Sequence, residues 1–168
     1  MEIRFIIPDD SSEEISNIYE QSWKHAYKGI IPQDYLDSIP KGKWAAKIRS
    51  GRMQNLVIEK DGKLIGTSGF CPSRWEKFSG YGEIVSIYLL PEYMGMGYGK
   101  QLIRRCVSEL ARLGFSDILL WVLEDNARAR SFYERNGFTC SGEYLEDEIG
   151  GKKLREVMYT IHTDLNGE

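Results

Sequence analysis

Leu90-Pro91-Glu92-Tyr93-Met94-Gly95-Met96-Gly97-Tyr98-Gly99-Lys100 joins a strand-like stretch to a helix-like one, and its three alternating glycines decide how the chain is read. Glycine adopts positive φ without steric penalty but loses more conformational entropy on folding than any other residue. Three at alternate positions are unfavourable unless exposed backbone is needed there. Successive N–H groups turned into one concavity, beside the partial positive charge of a helix N-terminus, form a seat for a diphosphate. Spacing rejects two familiar seats. A P-loop needs GxxxxGK followed by Ser or Thr, but Met94 fills its first glycine position and Gln101 follows Lys100. A dinucleotide turn needs GxGxxG, and counted from Gly95 its last position is Lys100.

Outward from this turn, Tyr81 to Leu90 is rich in β-branched and aromatic residues and reads as a long strand ended by Pro91. Upstream, Cys71 to Gly80 reads as a loop. Before it, strands Asn55 to Lys60 and Lys63 to Phe70 flank the tight-turn pair Asp61-Gly62. Ile3 to Ile7 is a first short strand closed by Pro8. Asp10, Ser11 and Ser12 offer N-cap oxygens, Glu13 and Glu14 suit a first helical turn, and Ile15, Ile18, Tyr19, Ser22 and Ala26 recur at helical spacing to Tyr27. Pro32, Pro40 and Gly42 break the next stretch into short helical pieces. Downstream, Leu102, Cys106, Leu110 and Leu113 form the apolar stripe of a helix stopped by Gly114. Ile118 to Leu123 is an apolar strand of the kind covered on both faces. A helix from Asn126 to Asn136, then strands Thr139 to Leu145 and Leu154 to His162 around Gly150-Gly151, complete the chain. The order is β-α-α-β-β-β-α-β-α-β-β, an α/β (α+β) arrangement with a mixed sheet and crossover helices.

Composition narrows the partners. A chain of 168 residues suits a single domain spanning 1–168, and 42% apolar with 28% charged residues is the balance of a globular protein. A net charge of −3 lacks the basic footprint of a general nucleic-acid binder. Cys71, Cys106 and Cys140 show no metal-ligand spacing and only His25 and His162 could join them, so no metal is expected. The opening MEIRFIIPDD turns acidic too early for a signal peptide, and no apolar run approaches the roughly 20 residues of a membrane span. The expectation is a cytoplasmic protein with no membrane partner and reduced thiols.

A second motif follows the apolar strand: Asn126-Ala127-Arg128-Ala129-Arg130-Ser131-Phe132-Tyr133-Glu134-Arg135-Asn136-Gly137-Phe138. It resembles the N-x-x-A-x-x-x-Y…GF segment of the GCN5-related N-acetyltransferases, and Met94 to Gly99 resembles that family's Q/R-x-x-G-x-G/A turn. The element order matches as well, so the resemblance covers nearly the whole chain. One departure stands out: Met94 occupies the usual Gln or Arg position, which removes that side chain and leaves the backbone donors. Lys100 and Arg104 are nearby cations.

The resemblance implies a fold with a central mixed sheet of about seven strands and flanking helices. It also implies acetyl-CoA as co-substrate. Gly95, Met96, Gly97, Tyr98, Gly99 and Lys100, with Met94, would surround its pyrophosphate. Peptide groups of Ile87, Tyr88 and Leu89 would pair with pantetheine as an added strand, since the family's corresponding strands splay. Asn126 would bond the pantetheine arm and small Ala129 would let it pass. Tyr133 would be the general acid that protonates the departing thiolate, and Glu83 the base for the amine. The alternative for Glu83 is an exposed carboxylate at the start of a strand.

The acceptor implied is a primary amine, on a small molecule or a peptide, acetylated by direct transfer in a ternary complex. Trp23, Tyr27 and Trp75 fall in segments that shape the family's acceptor site, as do Tyr35, Phe78 and Tyr144. The run Glu143 to Glu148 suits a cationic amine or a solvated face. Three matters stay open: a non-catalytic acyl-CoA-binding regulatory module, a donor other than acetyl-CoA, and the homodimer common among family members.

Overall fold

The computed structural model describes residues 1–165. Strands β1 (Glu2–Phe5), β2 (Gln54–Lys60), β3 (Lys63–Pro72), β4 (Gly82–Leu89), β5 (Asp117–Leu123), β6 (Thr139–Ile149) and β7 (Lys152–His162) form one sheet in the order β1-β2-β3-β4-β5-β7-β6. All neighbours are antiparallel except β4 and β5, which the helix α4 (Tyr98–Arg112) connects as a crossover. The remaining α-helices among the described residues are α1 (Ser12–Ala26), α2 (Gln33–Asp37), α3 (Ala45–Arg49) and α5 (Ala127–Arg135).

Alternation along the strands divides the core in two. Leu56 and Ile58 face α4, whose Leu102, Ile103, Cys106 and Leu110 are fully buried against them with Phe70, Ile84 and Ile118. Val57, between them, faces the other way onto Ile15, Ile18 and Tyr19 of α1 and Ile48 of α3. Ser11 caps α1 by accepting the Glu14 N–H at 3.2 Å.

Three of the boundaries that differ from the sequence expectation do so for a visible reason. β1 stops at Phe5, because the Asp10 carboxylate accepts the Ile7 N–H at 2.8 Å and is itself held by Arg4, turning the chain away. β3 continues through Cys71 and Pro72, paired with Glu83 and Gly82, so the following loop is shorter. β6 continues to Ile149 because its acidic run lies opposite basic residues, Glu148 against Lys153 and Glu146 against Arg155. The stretch broken by Pro32, Pro40 and Gly42 holds two short helices, α2 and α3, as expected, so the order carries one helix more than β-α-α-β-β-β-α-β-α-β-β.

Candidate active site

β4 and β5 pair only at Gly82–Ile118 and Glu83–Leu119 and then diverge. A bulge starts the divergence. The β3–β4 register passes from Gly69–Ser86 to Phe70–Ile84, leaving Val85 as an extra residue. Ser86 pins it, its Oγ accepting the Gly69 N–H at 2.9 Å and lying 3.1 Å from the Tyr19 hydroxyl. The gap is a cavity of about 760 Å³ between the β4 edge, the end of β5, the start of α4 and one face of α5.

The β4 edge presents backbone to this gap. Leu90 donates its N–H to the Ile65 carbonyl at 2.9 Å and the Ser86 carbonyl accepts from the Ser68 hydroxyl, both on the β3 side. Strand alternation therefore turns the peptide groups of Ile87 and Leu89 toward the cavity, unpaired by any strand among the described residues. The Tyr88 side chain points back to α1, where Trp23 Nε1 donates to its hydroxyl at 3.0 Å and Tyr19 packs against its ring. Burial pushes the Tyr88 phenol up to about 12.

At one end lie Met94, Gly95, Gly97, Gly99 and Lys100. Gly95 and Gly97 have φ of 77° and 86°, the left-handed region that disfavours side chains. Gly97 caps α4 with no side-chain hydrogen bond, leaving the first-turn N–H groups free for an anion. Gly99 is there for space: a Cβ would meet Phe132 at 3.3 Å. Met94 packs against the core, and Met96 and Tyr98 stand off the cavity wall, with Met96 62% exposed and Tyr98 against Tyr93. Arg128 and Arg135 of α5 also line this cavity, and neither they nor Lys100 pairs with a carboxylate among the described residues.

Asn126 is buried between the two ends. Its Oδ1 accepts the Ala129 N–H at 3.2 Å as the cap of α5, and both residues line the cavity. At the other end Tyr27, Trp121, Tyr133 and Glu156 meet. Tyr133 is wedged against Phe132, Phe138 and Tyr159 at ring distances of 5.4, 6.0 and 6.3 Å. Desolvation raises its pKa, with smaller contributions from Tyr88 and Cys106, so the phenol stays protonated at neutral pH. Tyr27 is raised by burial in the same way.

Glu83 is not on the cavity wall. It is 1% exposed, and its carboxylate accepts from the Arg74 guanidinium at 2.7 Å, the Arg74 N–H at 3.0 Å and Trp75 Nε1 at 3.3 Å. Trp75 in turn packs on Trp121 at 5.3 Å, behind the lining. Trp23 stands behind Tyr27, edge to face at 4.9 Å. Tyr144 is 56% exposed under the Arg155 guanidinium and Tyr35 bonds Lys43, both away from the cavity. The sequence motifs assign no role to Arg128, Arg135, Trp121 or Glu156, all of which line the cavity. The arginines follow from α5 facing the cavity through Ala129 and Phe132, whereas Trp121 and Glu156 carry no local signal.

The chain matches the model described as the acetyltransferase (GNAT) family over residues 13–138. YuaI of Bacillus subtilis, described as an uncharacterized N-acetyltransferase, is 32% identical over 150 residues, covering 86% of this chain and 84% of that protein. The spermidine N(1)-acetyltransferase of Thermoplasma acidophilum is 26% identical over 95% of this chain and 98% of its own length. The crystal structure of PaiA N-acetyltransferase from Thermoplasma acidophilum, in complex with coenzyme A, shares the fold. Its TM-score is 0.74 at 24% identity, over 97% of this chain and 100% of that one. With the model spanning more than half of its length, and a seven-stranded sheet split at β4 and β5 as its frame, this chain belongs to the GNAT acetyltransferase family.

Proposed function

We propose that the protein transfers an acetyl group from acetyl-CoA to a primary amine, on a small molecule or a peptide, by direct attack in a ternary complex. The observation that carries this reading is a single cavity with free backbone donors at its α4 end and the Tyr133 phenol at the other. The donor set fits the co-substrate. Free N–H groups of the α4 start, with Lys100, Arg128 and Arg135, suit the pyrophosphate and ribose phosphate. The edge of β4 suits the amides of pantetheine, as an extra strand suits an open sheet. The relative solved with coenzyme A supports the same choice.

In this reading the Leu89 N–H polarises the thioester carbonyl and stabilises the oxyanion. The amine attacks the carbonyl carbon, the C–S bond breaks, and Tyr133 protonates the leaving thiolate. Glu83 then holds the β3–β4 loop in place: its lone pairs are bound by Arg74 and Trp75, and Trp75 supports Trp121 on the wall. The test is calorimetry with coenzyme A, followed by thiol release from acetyl-CoA with spermidine, an alanine-led peptide amide and a simple monoamine. Amine-dependent release is expected. Binding without release across the panel would make the chain an acyl-CoA-binding module.

A further inference from the structure

We propose that Glu156 of β7 is the group that takes the proton from the acceptor amine. This rests on the transferase reading above and supplies the base that Glu83, bound on all sides, leaves unassigned. Glu156 lies opposite Leu123, the last residue of β5, and Leu145 of β6, and it lines the cavity with Tyr27, Trp121 and Tyr133.

Its carboxylate has neither a hydrogen bond nor an ion pair among the described residues, and the nearby arginines are engaged elsewhere. Arg155 pairs with Glu146 at 3.3 Å and Arg74 with Glu83 at 2.7 Å. The charged and titratable groups around it come from every neighbouring element: His25 of α1 and Tyr27 at its C-cap, Tyr88 of β4, Tyr133 of α5, Asp147 of β6 and Arg74 of the β3–β4 loop. Burial, then Asp147, raise the Glu156 pKa against a smaller opposing effect of Arg74. An unpartnered carboxylate that accepts protons readily, on the same wall as the acid Tyr133, divides the two proton transfers between two residues.

The balance closes. The ammonium gives a proton to the Glu156 carboxylate, and the freed lone pair forms the C–N bond at the thioester carbon. Collapse breaks the C–S bond, the thiolate takes the Tyr133 proton, and the phenolate recovers one from the product nitrogen. Glu156 releases its proton to water, so one proton leaves per turnover.

The test uses the full chain with Glu156→Gln, Glu156→Asp and, for comparison, Glu83→Gln. Coenzyme A binding is measured first, then thiol release from acetyl-CoA with spermidine, an alanine-led peptide amide and a simple monoamine from pH 6.5 to 10. Glu156→Gln should bind coenzyme A within about twofold of the parent and lose about 100-fold in kcat/KM at pH 7. The loss should shrink toward pH 10, where the amine arrives unprotonated. Glu156→Asp should recover part of the rate, and Glu83→Gln should keep the parent's pH profile. If Glu156→Gln no longer binds coenzyme A, Glu156→Asp decides: a displaced pH profile supports the proposal and an unchanged one overturns it. An active parent with Glu156→Gln within threefold of it at every pH overturns the assignment alone, as does a pH-independent loss confined to KM. A parent that binds coenzyme A and releases no thiol with any amine overturns the transferase reading, and this assignment with it.

Discussion

The two ends of the cavity are built from different materials. The α4 end is mostly backbone, drawn from one contiguous stretch, Met94 to Lys100, with cations added from α5. The Tyr133 end is mostly side chain, brought together from α1, β5, α5 and β7. A backbone site tolerates exchange of its side chains, which is how Met94 can stand where a polar residue is usual while the donors remain. A side-chain site has no such tolerance. If the proposed function holds, the α4 end should therefore respond weakly to most substitutions outside its glycines, and the Tyr133 end sharply to single ones.

Tyr133→Phe tests that contrast hardest. In the proposed mechanism this removes the proton donor, so kcat should fall by about 10²–10³-fold, with coenzyme A affinity within twofold, since the ring packing against Phe138 and Tyr159 is kept. Stopped-flow thiol release with calorimetry on the same sample measures both. Unchanged kcat would remove Tyr133 from the chemistry and leave the acceptor end no sharper than the other.

Arg74→Ala comes next. It leaves the Glu83 carboxylate buried with only the Arg74 and Trp75 N–H donors. Breaking one half of a buried pair commonly costs about 3–5 kcal/mol; because Arg74 is half exposed, about 2 kcal/mol is expected here. Urea unfolding gives the stability change, and KM for the amine should rise as Trp75 loosens behind Trp121. An unchanged midpoint would mean that Glu83 does not anchor this loop.

Gly97→Ala probes the other end with a smaller effect. A methyl group at φ of 86° costs about 1–2 kcal/mol, and it falls where the free N–H groups begin. Coenzyme A affinity should drop about tenfold, while kcat at saturation stays near the parent's. A fall in kcat at saturation would show that the two ends are coupled rather than separate.

The same contrast explains what could be read from the chain. The sheet, the crossover helix and the α4 end rest on local patterns: alternation in β2 to β5, the stripe Leu102-Cys106-Leu110, and glycines whose spacing is itself the geometry. The shared placement of Asn126, Ala129 and Tyr133 on the cavity was readable, because α5 and its N-cap carry all three. Glu156 was not. It sits within the ordinary-looking strand Lys152–His162, and only the pairing of β7 with the end of β5 brings it to the cavity. The environment of Glu83 was hidden similarly, since the donors that surround it come from a loop whose course depends on how far β3 extends.

The smallest effect separates function from stability at Glu156 itself. Its pKa is raised in the folded state by burial and by Asp147, so between the unfolded and folded values the native state holds more proton than the unfolded chain. The contribution of this group to stability is therefore fully present below the unfolded carboxyl pKa and is lost as pH rises through the folded one. Above the folded value the ionised carboxylate is unfavourable to the fold, and Glu156→Gln, neutral and of the same shape, removes that penalty. The variant should melt about 1–3 °C above the parent at pH 7, and the difference should shrink as pH falls toward 4. Calorimetric scans at the two pH values measure this, with Glu83→Gln alongside. Glu83 is bound by cationic and N–H donors, so its neutral replacement should lower the melting temperature. Two glutamates on strands of one sheet would then differ in sign, one unfavourable to the fold at neutral pH and the other holding it. If Glu156→Gln melts below the parent at pH 7, the carboxylate is instead a structural partner, and the division between a supporting Glu83 and a reactive Glu156 fails.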